Sequence, residues 1–204
     1  YQTEADLERS LIEQLQRQGY EYAQIHNEEV LIDNLRQKLE ELNGYHFTDS
    51  EWRRFFKTEI AAEGKGIVDK TRTIQTDFVK TLRRDNGEEK NIYLIKKDDV
   101  HANRTQVINQ YEVWNGQRPN RYDVSILVNG LPLVHIELKK RGVSIKEAFN
   151  QINRYGRESF WAGNGLFEYV QIFVVSNGTQ TKYYSNTTRE SHINEIKKGG
   201  NKNK

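Results

Sequence analysis

The sequence predicts an α/β domain with a mixed central β-sheet, flanked by helices and preceded by a helical portion. Three observations predict this class: apolar residues recur at helical spacing before residue 85, strand-like runs dominate after residue 90, and one helical stretch separates two of those runs. We expect a domain over 1–190, with a helical portion over about 1–85 and an α/β core over about 90–190. A disordered tail over 191–204 is expected to follow.

Helical spacing predicts a helix over 3–18 and two or three further helical stretches, over about 28–43, 48–62 and 66–82. Thr3 is a candidate N-cap for the first helix, in which leucines recur four residues apart. The polar segment 83–87 then predicts a turn, because it ends in Asn-Gly. The helical portion is therefore expected to end near residue 85.

Six strand-like runs are predicted at about 91–96, 106–114, 121–129, 132–139, 169–176 and 181–185. A helix over about 145–160 separates the fourth run from the fifth. Ser144 is its predicted N-cap, and Glu147 three residues later predicts a capping box. The order strand, helix, strand predicts a right-handed crossover, so the fifth run should lie parallel to an earlier strand.

The two central runs predict a β-hairpin, because Asn129-Gly130 lies between them. A simple two-residue turn would place the apolar residues of the two strands on opposite faces of the sheet. We therefore predict a three-residue loop or a bulge, with Val128 near Pro132.

This register groups three charged side chains. It places Asp123 opposite Glu137, with Lys139 next on the same face, and opposed Cβ atoms are about 5 Å apart. Carboxylates that close repel each other, and a divalent cation between them would remove the repulsion. Oxygen ligands favour Mg²⁺, and a neighbouring lysine suits metal-assisted phosphodiester hydrolysis. Ordinary cross-strand charge pairing on a solvated sheet face is the alternative that this pattern leaves open. We expect a structural role for the neighbouring His135.

Composition limits the function classes. The chain has 204 residues, 35% of them hydrophobic, so it can bury a core, and it has no cysteine, which excludes disulfides and thiolate metal sites. No apolar run approaches the roughly 20 residues needed to cross a bilayer, and no secretory signal opens the chain. We therefore expect a cytoplasmic protein without a membrane partner.

The net charge is only +2, so any nucleic-acid surface must be local. Segment 121–158 has seven basic and four acidic residues, which give it a charge of +3. The candidate phosphate contacts there are Lys140, Arg141, Lys146 and Arg154.

The hairpin resembles a known nuclease family. Asp123, Glu137 and Lys139 match the Asp…(Asp/Glu)-x-Lys signature of the restriction-endonuclease-like nucleases. More narrowly, segment 121–142 resembles the nuclease domain at the N-terminus of type I restriction enzyme R subunits. The wider superfamily often has proline before the first acidic residue, where this chain has Tyr122.

Two other segments carry the same resemblance, which covers nearly the whole chain. Gln151 and Tyr155 match the Gln-x-x-x-Tyr element of that family, and segment 2–8 resembles its first helix. In related nucleases an acidic residue of the first helix helps to bind metal. The resemblance therefore makes Glu8 a candidate metal ligand, with Glu4 behind it.

The resemblance implies a metal-dependent endonuclease that cleaves double-stranded DNA. By this resemblance Asp123, Glu137 and Lys139 are the expected catalytic residues. The two carboxylates are expected to bind Mg²⁺, for which Mn²⁺ can substitute. The resemblance gives Gln151 and Tyr155 a supporting catalytic role. Two alternatives stay open: a DNA-holding or docking module of the same fold without catalysis, and a stand-alone repair-type nuclease.

A larger assembly is implied as well. R subunits carry an ATP-driven, helicase-like motor after the nuclease and work with modification and specificity subunits. We expect these as partners and expect the sequence to be part of a longer polypeptide. It has no Gly-x-x-x-x-Gly-Lys-(Ser/Thr) phosphate loop, so ATP is expected to be needed only by the motor outside this chain.

Overall fold

The computed structural model describes residues 3–114 and 119–186, so the tail predicted over 191–204 lies outside the described residues. Its helices are α1 (Glu4–Arg17), α2 (Glu28–Asn43), α3 (Asp49–Phe55), α4 (Ile67–Gln75) and α5 (Ile145–Glu158). A π-helical turn (Phe56–Ile60) continues α3, and 3₁₀ turns occur at Val100–Ala102 and Leu166–Tyr169. None of the helices in the described residues combines the length and apolar character that crossing a membrane requires.

The strands are β1 (Glu21–Tyr22), β2 (Val79–Arg83), β3 (Glu89–Tyr93), β4 (Thr105–Trp114), β5 (Pro119–Val128), β6 (Leu131–Leu138), β7 (Ile172–Ser176) and β8 (Thr181–Ser185). Six of them form the central sheet in the order β1-β4-β5-β6-β7-β8, and β2 pairs with β3 in a second sheet. The β1–β4 and β6–β7 pairs are parallel, and the other neighbours are antiparallel. The predicted α/β class with a mixed sheet is confirmed, as is the parallel pairing of the strands on either side of α5.

Both faces of the central sheet are covered by apolar side chains. Helix α1 packs on one face, where Leu15 joins Val124 and Ile136 in a small core cluster. The other face carries the larger cluster, to which α2 contributes Leu35 and α5 contributes Ile152. The β5–β6 hairpin is therefore an internal part of the domain.

Local capping explains where the first helix begins. The Thr3 hydroxyl accepts a hydrogen bond from the Asp6 N–H, while the Asp6 carboxylate accepts from the Thr3 N–H. These bonds satisfy N–H groups that lack partners within the helix. The predicted N-cap at Thr3 is confirmed.

Two local predictions are wrong. The helix predicted over 66–82 ends at Gln75, because Val79–Arg83 pairs with β3 and buries Leu82 against the core. Tertiary pairing overrides the local helical pattern there. The capping box predicted at α5 is absent from the described contacts, since the Ser144 hydroxyl accepts from the Lys146 N–H.

Candidate active site

The β5–β6 hairpin combines a two-residue turn with a bulge. Val128 pairs with Leu131, so the predicted approach of Val128 to Pro132 is wrong. The alternative prediction of a bulge is confirmed, because the register shifts beyond Ile126 and Val124 pairs with Ile136. One extra residue in β6 thus returns the apolar side chains of both strands to a common face.

The tip of the hairpin explains the turn. Asn129 and Gly130 both have positive φ angles, of 50° and 84°, as a type I′ turn requires. The Asn129 side chain is buried and donates a hydrogen bond to the Leu94 carbonyl oxygen at 3.0 Å. A Cβ atom on Gly130 would lie 2.6 Å from the Cα atom of Leu35 in α2. Glycine is therefore required both by the backbone angle and by the packing.

The hairpin brings Asp123, Glu137 and Lys139 together. The Lys139 Nζ atom lies 3.5 Å from Glu137 Oε1. The Asp123 Oδ2 atom accepts a hydrogen bond from the Leu138 N–H at 2.8 Å, which fixes this carboxylate beside the β6 backbone. Glu137 is fully buried, and neither of its carboxylate oxygens forms a hydrogen bond within the described part of the chain.

The surroundings of the two carboxyl groups disfavour their ionisation. Burial raises the pKa of Asp123 from 3.8 to about 7, and the neighbouring charge of Glu137 raises it further in the same direction. Burial likewise raises the pKa of Glu137 from 4.5 to about 7, against the opposing effect of the Lys139 ammonium. An acidic pair with one buried and one half-buried member, both with raised pKa values, is typical of functional sites rather than of ordinary sheet surfaces.

Gln151 and Tyr155 lie one turn apart on α5 and are joined to each other. The Gln151 Nε2 atom donates to the Tyr155 hydroxyl at 2.6 Å, and that hydroxyl donates to the Arg121 carbonyl oxygen at 2.7 Å. The pair therefore ties α5 to β5 two residues before Asp123. Burial, together with the Glu137 charge, raises the pKa of Tyr155 to about 12.

The basic candidates surround this end of the hairpin. Lys140, Arg141 and Lys146 are exposed, and the Lys140 N–H donates to Glu4 Oε1 at 3.1 Å. Arg154 is partly exposed, and its charge lowers the pKa of Glu137. All four stand on α5 or on the segment between β6 and α5.

Glu8 lies on α1 and forms hydrogen bonds with β4. Its carboxylate accepts hydrogen bonds from the side-chain amides of Asn109 and Gln110. Gln110 has a φ of 52° and interrupts the β4–β5 pairing at the position opposite Asp123. Among the described residues, no group of three or more His, Cys, Asp or Glu side chains is arranged to hold a metal ion, so Glu8 does not complete such a group with Asp123. Its role as a ligand stays a prediction.

A structural role is predicted for His135 from the sequence and none is predicted for Ser125, and these two buried side chains lie in line behind Glu137. The His135 Nε2 atom lies 3.3 Å from Glu137 Oε2, and its Nδ1 atom lies 3.4 Å from Ser125 Oγ. Burial lowers the pKa of His135 to about 4, so its imidazole is neutral. The signal was available, because the predicted register pairs Ser125 with His135 on the face that carries Glu137.

The mixed sheet, its covering helices and the acidic hairpin define the class of α/β proteins with a restriction-endonuclease-like core. The chain belongs to the family described as the type I restriction enzyme R protein N terminus, which matches residues 1–192.

Among its relatives, the type I restriction enzyme EcoprrI endonuclease subunit of Escherichia coli is 52% identical over 93% of this chain and 60% of the relative. The SsaAORF53P endonuclease subunit of Staphylococcus saprophyticus is 43% identical over 93% of this chain and 20% of the relative. The HindI endonuclease subunit of Haemophilus influenzae is 27% identical over 86% of this chain and 18% of the relative. The chain thus spans only part of the curated relatives it matches.

Proposed function

We propose that this chain is the nuclease module of a type I restriction enzyme R subunit and hydrolyses phosphodiester bonds of double-stranded DNA with a divalent metal ion. One observation carries the proposal: the half-buried carboxylate of Asp123 and the fully buried carboxylate of Glu137 share one end of the hairpin with Lys139, whose Nζ atom is 3.5 Å from Glu137. Membership of a family whose relatives are named endonuclease subunits supports it.

The residues present fit a divalent cation. Both Glu137 oxygens lack hydrogen bonds among the described residues, and burial raises the pKa of both carboxyl groups. Asp123 and Glu137 would hold Mg²⁺, or Mn²⁺ in its place, because hard oxygen ligands suit these ions. When bound, the ion supplies Lewis-acid stabilisation of the negative charge that develops on the phosphate.

Lys139 supplies the fixed positive charge of the site. Its side chain is mostly buried, at 12% exposure, so the ammonium group is held beside Glu137 rather than free in solvent. In this position it orients the attacking water by hydrogen bonding and stabilises the negative charge that develops in the transition state. Such a fixed charge is more effective in a partly water-excluded site than at the surface.

Gln151 and Tyr155 act as a support. Their hydrogen bonds anchor α5 to the Arg121 carbonyl oxygen, so that the helix and the strand that carries Asp123 keep a constant relation. Around them the candidate phosphate contacts are Lys140, Arg141, Lys146 and Arg154. These contacts bind the DNA backbone without reading its sequence, so their contribution is sensitive to salt.

Family membership supports a wider proposal about the assembly. We propose that helicase-like motor domains continue the same polypeptide, and that modification and specificity subunits select the DNA. In this scheme ATP serves only the motor. The motor delivers DNA to the hairpin, and the chain described above performs the cut.

The test is nicking of supercoiled plasmid by the full-length subunit assembled with its partner subunits, in the presence of Mg²⁺. Asp123→Asn, Glu137→Gln and Lys139→Met should each lower cleavage by about 100-fold or more, while ATP hydrolysis stays near the native rate. Glu147→Gln, which removes an exposed carboxylate from α5, is the matched control and should cut normally. Native cleavage by all three site variants would instead favour a module that holds DNA without cutting it.

A further inference from the structure

We propose that His135 is a positioning residue for Glu137: its Nε2–H group holds the carboxylate in the orientation that binds the divalent ion, and Ser125 fixes the imidazole tautomer. This inference rests on the proposed function, since it concerns the same metal-binding acid. It assigns a role to two buried polar side chains of the hairpin, His135 and Ser125, that do not carry the chemistry.

The two oxygens of Glu137 have different neighbours. Oε1 lies 3.5 Å from the Lys139 ammonium, and Oε2 lies 3.3 Å from His135 Nε2. The backbone N–H next along the strand, that of Leu138, is already bonded to Asp123. His135 is therefore placed to restrain Oε2.

The proton on the imidazole follows from these neighbours. A carboxylate facing Nε2 favours the tautomer that carries hydrogen on that nitrogen, which leaves Nδ1 as an acceptor. The Ser125 hydroxyl lies 3.4 Å from Nδ1 and can donate to it. All three side chains are buried, with exposures of 1% or less, so water does not compete for these positions. In the proposed arrangement the Ser125 hydroxyl thus donates to His135, and His135 in turn donates to the Glu137 carboxylate.

An aromatic enclosure keeps the imidazole in place. The ring meets Tyr122, Phe160 and Tyr155 edge to face, with centroid distances of 5.2, 5.6 and 6.0 Å. Reorienting the ring would disturb these contacts, which are close-packed in the larger core cluster. The His135 Nε2 atom lies 3.3 Å from Glu137 Oε2 but is not aligned as a hydrogen bond, and such contacts commonly align and tighten when a site is assembled.

When a residue that hydrogen-bonds a metal ligand is removed, metal affinity typically falls by about 10- to 100-fold. The measurement is Mn²⁺ binding to the folded 204-residue chain by titration calorimetry. His135→Leu should weaken binding by about 10-fold or more, whereas His135→Gln, which keeps an N–H donor, should restore most of the affinity. His101→Leu removes an exposed histidine and should leave the affinity unchanged.

A second measurement requires no substitution at His135. Imidazole ¹⁵N shifts of the metal-free chain should show hydrogen on Nε2 of His135, and Ser125→Ala should weaken that preference and lower Mn²⁺ affinity by a few-fold. This arm keeps the test decisive if His135→Leu fails to fold.

Hydrogen on Nδ1, or equal affinity losses in His135→Gln and His135→Leu, would overturn the positioning role. Native Mn²⁺ affinity in His135→Leu, with loss in Glu137→Gln, would overturn it and leave the proposed function standing. Native affinity in Glu137→Gln would refute the metal site itself.

Discussion

The Asp123 carboxylate accepts a hydrogen bond from the backbone N–H of Leu138 at 2.8 Å. The acid of one strand is thereby attached to the residue that follows Glu137 on the next strand. This bond also lowers the pKa of Asp123, although burial and the Glu137 charge outweigh it. This bond fixes the Asp123 carboxylate beside Glu137, and when both groups are ionised a cation can relieve their repulsion.

That repulsion predicts a stability that falls as pH rises. The pKa values of Asp123 and Glu137 are raised from 3.8 and 4.5 to about 7 in the folded state, so the folded chain binds more protons than the unfolded chain between about pH 4 and pH 7. Their stabilising contribution is complete below pH 4 and lost as pH passes 7. We expect the free energy of unfolding of the metal-free chain to fall as the pH is raised through 7, measured with urea at several pH values.

Glu137→Gln should flatten this pH dependence, because the variant lacks the Glu137 charge and its repulsion of Asp123. A profile as steep as that of the native chain would show that other groups cause it.

Divalent metal should reverse the loss at high pH. Near pH 8 both carboxylates are ionised, and a cation that binds them only in the folded state raises the melting temperature. We expect a clear rise with Mn²⁺ or Mg²⁺ in the native chain and little in Glu137→Gln. Equal rises in the two proteins would place the cation elsewhere.

Glu8 is predicted to stabilise the fold through β4. Glu8→Ala removes the acceptor of two side-chain amides, so the free energy of unfolding should fall by about 1 to 3 kcal/mol. Glu13→Ala, which removes an exposed acid of the same helix, should change it by less than about 0.5 kcal/mol. Calorimetry of Mn²⁺ binding to Glu8→Gln then decides whether Glu8 is also a ligand: an affinity loss without a stability loss would establish that role.

Gly130 should tolerate no side chain. Gly130→Ala combines a φ of +84° with a Cβ atom 2.6 Å from Leu35 Cα, so we expect a loss of about 3 kcal/mol or more. Gly87→Ala is a matched control, because its φ is +87° but its Cβ would meet no atom within 4 Å. That variant should lose only about 1 to 2 kcal/mol, the cost of the backbone angle. Equal losses in urea unfolding would show that packing against α2 is unimportant.

The basic residues beside the hairpin should govern DNA affinity. We expect the 204-residue chain to bind double-stranded DNA weakly and to cleave it poorly at physiological salt without its partners. Arg141→Ala or Lys146→Ala should weaken binding on any sequence and reduce the slope of log affinity against log salt by about 1. Arg83→Ala removes an exposed charge from the second sheet and should leave anisotropy titrations unchanged.

The approach of Asp123 to Glu137 was predictable, because strands alternate and the apolar residues had to share a face. The position of the bulge was not, since a three-residue loop satisfies the same alternation. The tight turn is fixed by the positive φ angles of Asn129 and Gly130 together with the packing of Gly130 on Leu35. Val79–Arg83 was misassigned for a similar reason: its pairing with β3 is invisible in a local pattern. The positive φ of Gln110 gives no signal in the sequence either, because it accompanies a contact with Glu8 from a distant segment.

Seating the turn of the hairpin against α2 has a further consequence. Leu35 precedes Asp123 by 88 positions and Glu137 by 102, yet it shapes the turn that sets their register. The hairpin consequently depends on α2 for its register and would not keep that register in another protein. Transplanted into another sheet without α2, it would keep its acids but be free to slip, and a slip of one residue would turn Glu137 away from Asp123.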